Sequence, residues 1–290
     1  MTLAIVTPSY APDFLRFRRL HEFVVQHAPP DVMHHVLVPP PDVGRFSSID
    51  SPRLRVLRQP EVLPKQFVTT TRLSRIPHLP RGYRVGALNL RRPWPPIRGW
   101  VLQQIVKLAF VSTLDADVAL LIDSDVLLVR EFSEETFRRE GSVRHYRVPH
   151  AVHSGWRQTA ARLLDLGKPG DDHADYNAGV VSWSPAIVRE LLARIETVSS
   201  LPWATVIGSQ LDVSECFLYD EYLAAMGTPA QKAFTSDQNF CHSYWGTLTL
   251  ASADEFVESM LATDIAILVQ SNSDTSESVL DHIAAKVRES

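Results

Sequence analysis

The feature that most constrains this chain is an apolar run, Val118-Ala-Leu-Leu-Ile122, that stops at two carboxylates one residue apart, Asp123-Ser124-Asp125. A short apolar run bounded by polar residues reads as a strand. Comparable runs stand at 3–7, 35–38, 54–57 and 180–183, and helix-like segments at 12–27, 101–113, 159–166, 185–198 and 216–226. Strands alternating with helices predict an α/β fold with a mostly parallel sheet covered on both faces. Ser184 is the expected N-cap of its helix, with Pro185 at the first helical position. Residues 264–270 are expected to add a strand, and Ser273 or Asp274 to cap a final helix ending at Glu289.

Length and composition narrow the classes further. The 290 residues, 45% hydrophobic and 21% charged, predict one unit over 1–290 with an insertion at about 60–99. The longest apolar runs fall far short of the roughly 20 residues that cross a bilayer, so no transmembrane segment is expected. The chain enters its first strand with no basic leader, and Cys216 and Cys241 make neither a disulfide framework nor a CxxC pair, which predicts a cytoplasmic protein. A net charge of −4 does not predict nucleic-acid binding. Its distribution is uneven: Lys65, Arg72, Arg75, Arg81, Arg84, Arg91, Arg92 and Arg98 occupy an interval with no acid. Prolines 60, 64, 77, 80, 93, 95 and 96 break that interval for helices and central strands. It reads either as a solvated basic loop or as a lid that meets phosphate.

The carboxylate pair carries the chemistry. Ligands of open α/β sheets bind beyond the carboxyl ends of the strands. Two carboxylates at such an edge repel unless a cation lies near them, and a hard divalent ion that shares its oxygen ligands with phosphates meets that need. Asp115-Ala-Asp117 has the same spacing but stands at a helix-to-strand turn, where a solvated surface is expected.

Further segments follow in order: Thr7-Pro8-Ser9-Tyr10, Gly99-Trp100-Val-Leu-Gln103-Gln104-Ile-Val-Lys107-Leu108, His153-Ser-Gly-Trp156 with Leu163-Leu164-Asp-Leu166-Gly167, Tyr176-Asn177-Ala178-Gly179, and Ser214-Glu215-Cys-Phe-Leu-Tyr219. With the strand-borne DxD, this order resembles a group of bacterial glycosyltransferases of the Rossmann-like GT-A fold. The resemblance implies a nucleotide held by Thr7, Pro8, Tyr10, Asp123 and Ser124, with Tyr10 near the base and Asp123 near the ribose. It implies a metal on Asp123 and Asp125, with His242 in the place of a third ligand. Imidazole suits Mn2+ better than Mg2+, and a core or surface role for His242 is the alternative. Glu215 stands where inverting transferases often carry the base, although a glutamate in a first helical turn also favours the helix dipole. Lys107 and the loop arginines are candidates to stabilise the departing diphosphate, and a capping or surface role is the alternative for Lys107. Asp175, Asn177, His153, Gln103 and Gln104 are candidates for sugar hydroxyls, and Trp100 or Trp245 for an aromatic face. Trp183 is expected in the core, and Asp171-Asp172 in a solvated turn.

The reading is a metal-dependent enzyme that moves a sugar from a UDP- or GDP-linked donor to a hydroxyl of a glycan or small-molecule acceptor. A haloacid-dehalogenase-like phosphohydrolase also carries DxD, but expects Thr or Val where Leu127 stands, and places the motif on its first strand. A nucleotidyltransferase expects glycines after the first strand, where Thr7-Pro-Ser-Tyr10 has none. A non-catalytic nucleotide- or carbohydrate-binding protein would bind in the same way without turnover.

Overall fold

The computed structural model describes residues 2–69, 84–149, 154–167 and 174–289. A five-stranded sheet runs in the order Val180–Trp183, Val118–Ile122, Leu3–Pro8, Met33–Val38, Leu54–Arg58. Its pairs are parallel except at the edge, where Val180–Trp183 runs antiparallel to Val118–Ile122. Both faces are covered, so the interior strand Val118–Ile122 needs no polar alternation and is buried throughout. Successive side chains still point to opposite faces. Ala119 and Leu121 join Val6, Leu37, Val181 and Trp183 in one core with the helices Gly99–Thr113, Pro185–Ser199 and Glu215–Met226. Val118, Leu120 and Ile122 join Ile5 and Val180 in the other, against Phe14–His27, Leu250–Glu258 and Glu277–Glu289. Each such Val, Leu or Ile contributes roughly 1.5–3 kcal/mol by leaving water, and Trp183 lies in the core as its sequence context predicts.

A second sheet places the C-terminal part of the chain beside the carboxylates. Val126–Leu128 continues from Asp125 and pairs antiparallel with Ala266–Val269, which pairs parallel with Cys241–Tyr244. The expected strand at 264–270 is therefore present, shortened at both ends.

Three local expectations are corrected. The interval 60–99 is not an irregular loop where it is described: Phe67–Thr69, Val85–Asn89 and Ile97–Arg98 form a three-stranded antiparallel sheet. It docks on the Gly99–Thr113 helix through Gly86, where an added Cβ would lie 2.9 Å from the Gly99 Cα. Pro93, Pro95 and Pro96 fall between its strands, where missing N–H donors cost nothing. The last helix begins at Glu277, and Ser276 Oγ accepts from Val279 N at 3.4 Å, while Ser273 is occupied by the Gln270 carbonyl at 2.7 Å. Asp117 is not merely solvated: it accepts from Thr2 N at 3.0 Å and pairs with Arg138 at 3.2 Å, fastening the start of the first strand.

Candidate active site

The turn after Val118–Ile122 is built by its own backbone and held from two sides. Val126 N donates to Asp123 O at 3.1 Å, which closes the turn. Ser124 Oγ donates to Ser9 Oγ at 2.9 Å, joining it to the loop that leaves the first strand. Ser271 N donates to Asp125 Oδ2 at 2.9 Å and Val269 N to Asp125 O at 3.2 Å, joining it to the far end of the chain.

Lys107 supplies the positive charge. Residues 100, 104 and 107 fall on one face of the Gly99–Thr113 helix. That face brings Lys107 Nζ within 3.0 Å of Asp123 Oδ1 and 3.1 Å of Glu215 Oε1. Glu215 is placed by its helix start, where the Ser214 hydroxyl accepts from Phe217 N. Burial works against the lysine charge, but the two carboxylates outweigh it and hold the ammonium well above its ordinary value. Asp123 keeps 49% of its side chain open. Asp125 is pushed up, first by burial and then by the like charge of Asp123.

The structure adds residues that the motif reading missed. Asp13 is raised to about 6 by burial, opposed by Arg16 and reinforced by Asp125 and Asp123, which places a third carboxyl in the field of the pair. Arg16 and Arg19 line a small pocket with Ser124 and Asp125. Their only signal was position on the first helix, where buried charges look like an ordinary polar face.

Other candidates depart from expectation. Thr7 is fully buried, donating to Ile122 O at 2.7 Å and bonded to His34 Nε2 at 2.9 Å, so its hydroxyl faces the interior and not a nucleotide. Pro8 is buried with it, whereas Tyr10 is 39% exposed. His242 is held elsewhere: its ring stacks on Phe256 at 4.5 Å and its Nε2 lies 3.0 Å from Ser259 Oγ. Strand alternation explains this, because the neighbouring Cys241 takes the opposite face, where a Cβ on Gly179 would lie 2.4 Å from its Sγ. Gln104 is 1% exposed and its amide has no partner among the described residues, so it is a buried group and not one open to a sugar.

Gln103 is half-buried, and Trp100 is exposed with its ring 5.7 Å from Trp156. Asp175 Oδ1 accepts from Tyr176 N and Asn177 N and from Asn177 Nδ2 at 2.9 Å, which fixes the Asn177 side chain. Trp245 is exposed next to the strand Cys241–Tyr244. Arg98 donates to Leu211 O at 2.8 Å. His153, Arg72, Arg75, Arg81 and Asp171-Asp172 lie outside the described residues.

No group of three or more His, Cys, Asp or Glu side chains among the described residues is arranged to hold a metal. The oxygens that would hold a divalent cation are those of Asp123 and Asp125, the first half open and the second pushed up by burial and then by its neighbour's charge.

The fold is of the GT-A glycosyltransferase type. A crystal structure of galactosyltransferase LgtC, in complex with donor and acceptor sugar analogs, matches at 11% identity over 99% of this chain and 94% of that one, with a TM-score of 0.50. A structure of an active-site mutant of LgtC matches at 12% identity over 99% and 95%, with a TM-score of 0.48. No curated protein matches the sequence. The chain belongs to the family of unknown function DUF6492, whose family model matches residues 1–274.

Proposed function

We propose that this protein is a metal-dependent glycosyltransferase that takes a sugar from a UDP- or GDP-linked donor and places it on a hydroxyl of a glycan or small-molecule acceptor. The observation that carries the reading is the Lys107 ammonium between Asp123 and Glu215, set beside the Asp123/Asp125 pair where the parallel strands end. With a divalent ion on that pair to offset its charge, the fixed cation beside it suits a diphosphate better than a neutral sugar alone. A bound Mn2+ or Mg2+ on Asp123 and Asp125 would neutralise the phosphates.

This chain's own groups divide the remaining work. Lys107 stays charged and faces the oxygens on which charge develops as the diphosphate leaves. Glu215, mostly buried and already accepting from Lys107, acts as a positioning residue that fixes the ammonium, a role the geometry supports better than proton abstraction. Tyr10 offers an exposed ring for the base, and Asn177, locked by Asp175, offers an amide to a hydroxyl.

Calorimetric titration with UDP, GDP and their sugars, with manganese, magnesium or chelator, tests this on wild type and Asp125→Ala. Selective, metal-dependent binding that disappears in the variant is expected. Binding without sugar transfer to any acceptor would leave a nucleotide-binding protein, and no binding under any metal condition would overturn the reading.

A further inference from the structure

The three-stranded sheet at 67–98 has an inner side that is used and an outer tip that is not. Phe67, Val85, Ala87 and Ile97 are buried, and Asn89 Nδ2 donates to Thr205 Oγ1 at 3.2 Å, so its base is fastened to the body. At the tip two turns abut: Phe67 N donates to Pro64 O, Arg92 N to Asn89 O, and Leu90 N to Gln66 O at 2.8 Å across them. These bonds present Lys65, Leu90, Arg91, Arg92 and Trp94 together to solvent, with Leu90 64% and Trp94 75% exposed. Leu90 and Trp94 thus place two large apolar side chains close together in the sequence of a tip whose backbone prolines 93, 95 and 96 stiffen.

Along the chain the charge beside them has one sign. The sequence carries no acid between Glu61 and Asp115, and Glu61 itself pairs with Arg58 at 4.0 Å. Exposed aromatic and aliphatic groups ringed by Arg and Lys match a surface that is apolar below and phosphate-rich above. We propose that this tip docks the protein on an anionic phospholipid surface, with Trp94 and Leu90 entering the interface and Lys65, Arg91 and Arg92 meeting lipid phosphates. Attachment of this kind needs no membrane-crossing helix, and none of the described helices is long and apolar enough to be one. Docking there would restrict acceptors to hydroxyls presented at a membrane surface, a consequence that rests on the transferase reading, whereas the docking itself does not.

The test is sedimentation of the intact chain with vesicles of phosphatidylcholine alone and of phosphatidylcholine mixed with phosphatidylglycerol. Binding to the mixed vesicles only is expected, weakening with added salt. Arg91→Gln with Arg92→Gln should lower the partition coefficient roughly 30-fold, at about a tenfold change for each 1.4 kcal/mol and about 1 kcal/mol per cation. Leu90→Ser with Trp94→Ser should lower it about tenfold or more, and both variants should keep the wild-type circular dichroism, because the side chains are exposed. Absence of binding to the mixed vesicles, equal binding to both vesicle types, variants that bind like wild type, or capture by heparin without capture by vesicles would each overturn the proposal. Nucleotide titration of the same samples keeps this result separate from the fate of the donor site.

Discussion

Removing the Lys107 ammonium would leave the Asp123 and Glu215 carboxylates close together, one of them mostly buried, with nothing between them. Breaking one partner out of a buried ion pair is costly. Lys107→Met is therefore expected to lower stability by roughly 3 kcal/mol, seen as a shifted urea midpoint at unchanged slope, while Lys107→Arg retains most of it. An unshifted midpoint for Lys107→Met would mean that the lysine is not the link between these side chains. Thr7 offers the complementary case. Thr7→Val keeps the shape but leaves the Ile122 carbonyl and His34 without that hydroxyl, at a cost of about 2 kcal/mol. Nucleotide affinity should not change, and a loss like that of Asp125→Ala would return Thr7 to the binding site.

Between elements, the backbone entering the Val180–Trp183 strand lies against Cys241 and Leu268 at a distance that leaves no space for a side chain at residue 179. Gly179→Ala should destabilise by roughly 1–3 kcal/mol, and Cys241→Ala in the same chain should restore most of it by removing the Sγ that lies 2.4 Å from the new methyl. The pairing of the first helix with the second strand predicts a pH dependence. His21 lies on Phe14–His27 and His34 on Met33–Val38, with their Nδ1 atoms 3.0 Å apart. Burial, with help from Arg53, lowers His21 from 6.5 to about 4, and His34 is held well below its ordinary value by burial and then by the His21 and His35 charges. Because the unfolded chain then binds protons first, their contribution is full above about 6.5 and is lost as the pH falls towards about 4. Asp220, raised to about 6 chiefly by burial and opposed by His145, acts in the opposite sense, since the folded state takes its proton first. Asp13, also raised to about 6, acts in the same sense as Asp220, so urea unfolding from pH 6.5 to 4 should show stability falling most steeply in the Asp13→Asn, Asp220→Asn variant; a flat profile there would mean that the histidines titrate freely.

These cases also show what the sequence made legible. The central strand and its neighbours were readable because uninterrupted apolar runs have few other uses, and the carboxylate turn because it ends one of them. The meander at 67–98 was hidden by prolines that lie mostly outside its strands. His242 was assigned by its order along the chain, but the two-residue period of a strand decides which face a side chain takes, and register cannot be read from order. Asp13 and Arg16 were missed because burial of a charge is a tertiary property.

At the scale of the molecule, the last helix is bound to the first. Arg19 bonds Glu277 and Asp281, and Arg288 bonds Glu22, across a core that holds Val279, Leu280, Ile283, Ala284 and Val287. Burial of those side chains contributes on the order of 10 kcal/mol, comparable with the whole stability of a typical domain. A chain ending at residue 276 is therefore expected to lose cooperative unfolding and near-ultraviolet dichroism, and a native-like melt would show that the helix is dispensable.

Ser9, Ser124 and Ser271 tie the carboxylate turn to opposite ends of the polypeptide. A growing chain on the ribosome consequently cannot hold this turn in its finished form until residue 271 has emerged. Under the proposed transferase reading, nucleotide would then be useless as a chaperone for early intermediates, yet would act as a latch on the folded protein, slowing the separation of the segments around Ser9 and Ser271 at once.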